Sequence, residues 1–132
     1  MRQIVYTRRL GGRLIAVGPG VLDASLAGLD EPATVTAQLS FADERSFELT
    51  GTVRIEGAGS VRFRTLDAGR LDPSRESGVR LGTAMLEVCG GTGQFDGAYG
   101  RITSNFVVRD DGEITDHQLG VVFVAVPAKE EL

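Results

Sequence analysis

The chain has 132 residues, with 18 acidic and 14 basic side chains that give a formal net charge of −4. This length fits one domain with its own hydrophobic core, so we expect residues 1–132 to form a single domain. The acidic balance argues against a nucleic-acid partner, and no apolar run approaches the ~20 residues that span a bilayer. The N-terminus "MRQIVYTRRL" lacks the features of a secretory signal. We therefore expect a cytoplasmic protein with no nucleic-acid or membrane partner.

Runs rich in β-branched and aromatic residues alternate with turn signals along the chain, which predicts an all-β fold. The first two runs, 3–8 and 13–17, are separated by "LGG", which suggests a tight hairpin connection. Residues 18–32 have apolar side chains near helical spacing and could hold one or two helical turns. Six more runs follow, and they cover residues 33–41, 45–56, 60–66, 79–89, 98–109 and 113–126.

The connections between the later runs carry their own signals. "EGAG" predicts a tight hairpin, and Asp111-Gly112 in "RDDGE" predicts that the last two strands pair antiparallel. Residues 67–78 have the composition of an exposed, mobile loop. Alternation in the third run predicts that one of its faces is buried, the one formed by Val35, Ala37, Leu39 and Phe41.

The last run differs because it is apolar at nearly every position from Leu119 to Val126. A strand with one face in water alternates between apolar and polar residues, whereas a continuous apolar run indicates two covered faces. We expect the protein interior to cover one face and a neighbouring subunit to cover the other. The sequence therefore predicts a homo-oligomer.

Five glycines fall within residues 90–100, in "GGTGQFDGAYG", and this density suits either a phosphate-binding loop or a sharp corner between strands. A dinucleotide-binding loop must open directly into a helix, but the residues that follow here are strand-like. Glycine also adopts backbone angles that corners require. The corner interpretation is favoured, with Phe95 tucked inside.

The segment "VCGGTGQFDGAYGRI" resembles a pattern shared by plant allene oxide cyclases and dirigent proteins, where it joins two late strands of an eight-stranded antiparallel barrel. The resemblance implies a closed, calycin-like and allene oxide cyclase-like barrel with a largely apolar cavity, usually assembled as a homotrimer. The eight runs agree, because an even number of strands permits antiparallel closure. The early carboxylate and asparagine of the cyclases have no counterpart in "QIVYTRRLGGR", so none of their catalytic positions is transferred.

In size and strand number the chain also looks similar to bacterial barrels that form rings in natural-product pathways. We expect a cofactor-independent cyclase or isomerase that folds an apolar polyene or polyketide-like intermediate inside the barrel. The alternatives are a non-catalytic binding or dirigent-like protein that steers a coupling, and a structural protein without a ligand. The cyclase and the dirigent-like hypotheses both predict a small apolar ligand. We expect the protein to be a homo-oligomer, either a trimer or a dimer.

The catalytic candidates are polar residues that would act if they faced the barrel interior. Glu87 shares a face with Met85 on run 79–89, and it is either an exterior carboxylate or an interior acid suited to proton transfer. Tyr99 and Asn105 share a face on run 98–109 and could donate hydrogen bonds to a substrate carbonyl, although an outer, solvated face also explains them.

Further candidates would contact substrate rather than react with it. Arg62 and Arg64 would bind a carboxylate or enolate if inward, and would be solubilising if outward. Phe106 lies on the apolar face of its run, and Met85 lies beside Glu87. His117 is adjacent to Asp116 but should point to the opposite face. The single histidine and the single cysteine leave only carboxylates to complete a metal site, so we predict neither a metal nor a cofactor.

Overall fold

The computed structural model describes residues 2–125, which form one antiparallel sheet. No helix that could span a bilayer occurs among these residues. The strands are β1 (Arg2–Gly18), β2 (Val21–Gly28), β3 (Ala33–Phe41), β4 (Ser46–Ile55), β5 (Gly59–Thr65), β6 (Gly69–Pro73), β7 (Val79–Gly93), β8 (Tyr99–Arg109) and β9 (Glu113–Val124).

The sheet closes into an eight-stranded barrel. Each strand pairs with the next along the chain except β5, which pairs with β7, and β9 returns to pair with β1 over twelve residues. The short strands β5 and β6 both lie between β4 and β7, so together they fill one strand position. The additional pairings of β3 with β4 and of β6 with β7 close the sheet and leave no free edge within residues 2–125, which confirms the predicted fold class.

The two ends of the barrel are defined by different turns. We call the end with the turns at 19–20, 42–45, 74–78 and 110–112 the upper end. The lower end has the turns at 29–32, 56–58 and 94–98. The predicted "EGAG" hairpin and the antiparallel pairing of the last two strands are both confirmed, and they lie at opposite ends.

The glycine-rich corner is the β7–β8 connection at the lower end. Gly93 and Gly97 have φ angles of 60° and 73°, in the left-handed region that other residues rarely adopt. Phe95 is half-buried and packs against the core. The chain then continues as strand β8 rather than as a helix, so the corner interpretation is confirmed and the phosphate loop is wrong.

Three predictions on connecting segments are wrong. "LGG" is not a turn, because Gly11 and Gly12 lie within the single long strand β1. A Cβ at Gly12 would lie 1.9 Å from the Ser25 carbonyl oxygen, so this glycine serves close strand approach. The suggested helical segment 18–32 contains strand β2, and the suggested loop 67–78 contains strand β6.

Aromatic rings fill the barrel interior by lying over glycines on neighbouring strands. A glycine directly opposite in the strand register provides the space, since a Cβ there would come within 2.9 Å of the ring or closer. Such pairs place bulky rings in a narrow barrel and also cover exposed glycine backbone. There are four of them: Tyr6 with Gly120, Phe47 with Gly69, Phe63 with Gly51, and Phe106 with Gly82.

Candidate binding site

A bowl of about 760 Å³ lies at the upper end of the barrel. Its floor is apolar, because strands β2, β3 and β6 reach this end with inward-facing Leu22, Phe41 and Leu71. The Phe41 ring is held by the buried Phe47 ring, with 5.4 Å between the centroids. Pro73 completes the apolar wall where β6 ends.

The rim of the bowl is charged. Asp43 accepts hydrogen bonds from the backbone N–H groups of Arg45 and Ser46, both at 2.8 Å, and these bonds fix the β3–β4 turn. The same bonds hold the pKa of Asp43 below its usual range, so its carboxylate is a weak base. Arg45 lies 3.8 Å from Asp72, whereas Arg80 has no salt bridge to any of residues 2–125.

The interior beneath the bowl is nearly full. One cavity of about 20 Å³ remains, lined by apolar side chains together with Ser104, Asp116 and Gln118. That volume admits about one water molecule. The apolar substrate cavity implied by the resemblance is therefore absent from the described lumen, because the aromatic rings over the glycines occupy the space.

A buried polar cluster lies on the inner faces of the neighbouring strands β8 and β9. The Ser104 hydroxyl donates to Asp116 Oδ1 at 2.7 Å, and Gln118 Nε2 donates to Asp116 Oδ2 at 3.0 Å. Burial raises the pKa of Asp116 although both hydrogen bonds act in the opposite direction. Gln118 Oε1 is buried and has no hydrogen-bond partner among the described residues.

Asp116→Asn is expected to raise the free energy of unfolding at pH 7. The folded chain holds the Asp116 proton more tightly than the unfolded chain does, so native stability falls as pH rises from 3.8 through the folded pKa. Asparagine carries no charge, and its amide can donate to Gln118 Oε1 after the Gln118 amide rotates. We expect a gain of roughly 1 kcal/mol at pH 7 that shrinks as pH falls toward 4.

Urea unfolding of both proteins at the two pH values measures this gain. The exposed Asp23 on β2 provides the control, since Asp23→Asn should change stability little at either pH. A native protein that is more stable than Asp116→Asn at pH 7 would contradict the expectation.

A second polar group lies in the lower half of the interior. The buried Arg8 packs over the Tyr6 ring, 4.4 Å from its centroid, and its Nε donates to Glu31 at 2.5 Å. Burial raises the pKa of Tyr6, and the nearby Arg8 charge opposes that rise. Arg8 Nη1 is buried and has no hydrogen-bond partner among residues 2–125. The sequence pattern does not reveal this group, because a first run that ends at residue 8 hides the inward alternation of β1.

Met85 and Glu87 lie on the outer surface of β7, whose inward residues are Ala84, Leu86 and Val88. The Glu87 carboxylate pairs with Arg64 at 3.5 Å, so both charges belong to the outer surface. The interior position considered for Glu87 and Arg64 is therefore wrong.

The other polar candidates also face outward. Tyr99 stacks on Phe123 with 5.2 Å between ring centroids, and Asn105 lies opposite His117 in the register, with both exposed. Arg62 is exposed and donates to the Cys89 carbonyl oxygen at 3.3 Å. The interior positions considered for these residues are wrong, and a role for them at the outer surface stays a prediction.

Phe106 is the one predicted site residue that faces the lumen, where it lines the small cavity. The opposite orientations predicted for Asp116 and His117 are confirmed. None of the bowl residues is among the predicted site residues. Within residues 2–125, no group of three or more His, Cys, Asp or Glu side chains is placed to hold a metal ion.

Comparison with known proteins adds one likeness. No protein-family model and no curated protein matches the chain. Among solved structures, the chain is similar to a pterocarpan synthase dirigent protein at 13% sequence identity and a TM-score of 0.37, over 94% of this chain and 92% of that chain. A likeness at this level carries no conclusion about activity, and the barrel fold rests on the strand pairing described above.

Proposed function

We propose that this barrel binds a small, mostly apolar molecule in the upper bowl and holds it in a defined conformation. The observation that carries the proposal is the bowl itself. Its volume of about 760 Å³ is in the range of small-molecule sites, and its apolar floor and charged rim have the usual composition of such sites. The ligand class is an apolar body with one anionic group, since Arg80 is the rim cation that has no salt bridge to residues 2–125.

The geometry favours a binding or guiding role over proton-transfer catalysis in the lumen. The rim carboxylate of Asp43 is a weak base, for its pKa is lowered. The carboxyl with a raised pKa, Asp116, adjoins a space of only about 20 Å³. Conformational restraint requires neither group, and restricting a flexible chain can by itself favour one coupling or ring closure. This supports the dirigent-like alternative more than the cyclase.

Filling the bowl tests the proposal. Gly18 lines the bowl and a Cβ there would meet no atom within 4 Å, so Gly18→Trp should fold normally and occupy the bowl. The probe is anilinonaphthalene sulfonate, an aromatic molecule with one anionic group, titrated by fluorescence. We expect saturable binding to the native chain with one site, and at least tenfold weaker binding to Gly18→Trp.

The control is Val17→Trp, which adds the same ring at an adjacent exposed residue that does not line the bowl. Thermal unfolding of all three proteins identifies any variant that binds the probe because it is partly unfolded. Equal binding by Gly18→Trp and Val17→Trp, or no saturable binding by the native chain, would contradict the proposal.

A further inference from the structure

Two buried side chains inside the barrel each carry one polar atom without a hydrogen-bond partner among residues 2–125. One atom is Gln118 Oε1, which accepts hydrogen bonds, and the other is Arg8 Nη1, which donates them. The exposed fractions of the two residues are only 4% and 6%. Buried polar atoms in folded proteins are nearly always bonded, either to another protein group or to an ordered water. Both atoms therefore call for a further partner.

The two side chains start from neighbouring positions on the inner surface. Arg8 on β1 and Gln118 on β9 are register partners, and both point inward, because the next residues, Thr7 and Leu119, are exposed. Cβ atoms of directly opposed residues lie about 5 Å apart, so the donor and the acceptor belong to adjacent side chains. They do not bond to each other, since neither has a partner within residues 2–125.

Gln118 also lines the interior cavity of about 20 Å³. Ser104 and Asp116 contribute the other polar groups of its lining, and the remaining lining is apolar. A cavity holds a water when it has room for roughly 10 to 15 Å³ of probe volume and offers two to four polar partners. The volume and the three polar side chains meet both conditions.

The existing hydrogen bonds leave a defined set of partners for such a water. Both Asp116 oxygens already accept a bond, one from Ser104 and one from Gln118 Nε2. Because Nε2 faces Asp116, the Oε1 atom of the same amide is left to accept from another group. A water can donate one proton to Oε1 and accept a bond from Arg8 Nη1. Its second proton can go to the Ser104 hydroxyl oxygen, which donates to Asp116 and still has lone pairs.

We propose that a single water is bound between Gln118 Oε1 and Arg8 Nη1 as a permanent part of the barrel interior. This water joins the polar cluster around Asp116 to the Arg8–Glu31 pair. The resulting network runs from the buried Ser104 on β8 to Glu31 in the β2–β3 turn, whose side chain is 38% exposed. It connects the wall of the barrel to a turn at the lower end, and it is independent of the upper bowl.

A high-resolution crystal structure of the native chain tests the site directly. We expect one ordered water about 3 Å from both Gln118 Oε1 and Arg8 Nη1. A direct hydrogen bond between the two side chains would overturn the proposal. Electron density without a water at this position would overturn it as well.

Water oxygen-17 relaxation dispersion, which detects long-lived internal waters, gives an independent test in solution. Gln118→Met removes the acceptor and keeps an unbranched side chain, so we expect it to lose one long-lived water. Gln38→Met makes the same change at an exposed residue and should lose none.

Thermal unfolding shows whether each variant folds. Arg8→Met is the second variant, because it removes the donor and should lose the same water even if Gln118→Met does not fold. A folded Gln118→Met or Arg8→Met protein with the dispersion amplitude of Gln38→Met would overturn the proposal.

Discussion

Gly82→Ala is expected to lower the free energy of unfolding by about 2 to 3 kcal/mol, although it adds a single methyl group. A Cβ at Gly82 would lie 2.1 Å from the ring of Phe106, which is only 4% exposed. The ring cannot move freely, because the Phe47 ring packs against it with 5.8 Å between centroids. Overpacking must therefore displace either two aromatic rings or the β7 backbone. Equilibrium urea unfolding measures the loss.

Gly18→Ala is the matched control, since its added methyl group meets no atom within 4 Å. We expect it to change stability by no more than about 0.5 kcal/mol. Adding Phe106→Leu to Gly82→Ala removes the opposing ring and should recover part of the loss. A Gly82→Ala protein as stable as Gly18→Ala would show that the ring over Gly82 has room to relax.

Glu31→Ala is expected to cost about 2 kcal/mol, because it leaves the buried Arg8 guanidinium without its carboxylate partner. Arg8 is almost fully buried and already has one Nη1 without a hydrogen bond among the described residues. The side chain of Glu31 is 38% exposed, so water partly screens the pair, and the expected cost is below that of a fully buried one. Chemical denaturation at pH 7 provides the measurement.

The partner substitution should behave differently. Arg8→Met removes the buried charge and keeps an unbranched side chain over the Tyr6 ring, so we expect a change within about 1 kcal/mol. Asp30→Ala is the surface control, since Asp30 lies 4.0 Å from Arg9 and both side chains are largely exposed. If Glu31→Ala costs no more than Asp30→Ala, the Arg8–Glu31 contact contributes no more than an ordinary surface pair.

The strands from residue 33 onward and the glycine corner could be predicted from the sequence because their signals are local. Asp111-Gly112 specifies its turn without reference to the rest of the chain. The alternation of Val35 and Leu39 identifies the buried face of β3 in the same local way. Strand β6 was missed, because its pairing with β4 and β7 depends on residues far away along the chain.

The role of a glycine inside a strand depends on its neighbour in space. Gly11 and Gly12 have the composition of a turn, yet pairing on both sides of β1 keeps them extended. Likewise, Gly82 and Gly120 make room for rings that come from other strands, and no local pattern identifies those partners.

The candidate site was harder to predict than the fold. Alternation separated Glu87 from Leu86, but choosing the inward face required the full barrel register. The bowl depends on where β2, β3 and β6 end relative to one another, and these positions follow from strand stagger rather than from a motif.

Because the lumen beneath it is filled, the bowl opens to solvent at the upper end of the barrel alone. A molecule seated on Leu22, Phe41 and Leu71 has no passage through the barrel, because only about 20 Å³ is free beneath. A ligand bound as proposed would have to enter and leave past the rim at Arg45 and Arg80. A bound molecule that leaves slowly would therefore exclude the next one.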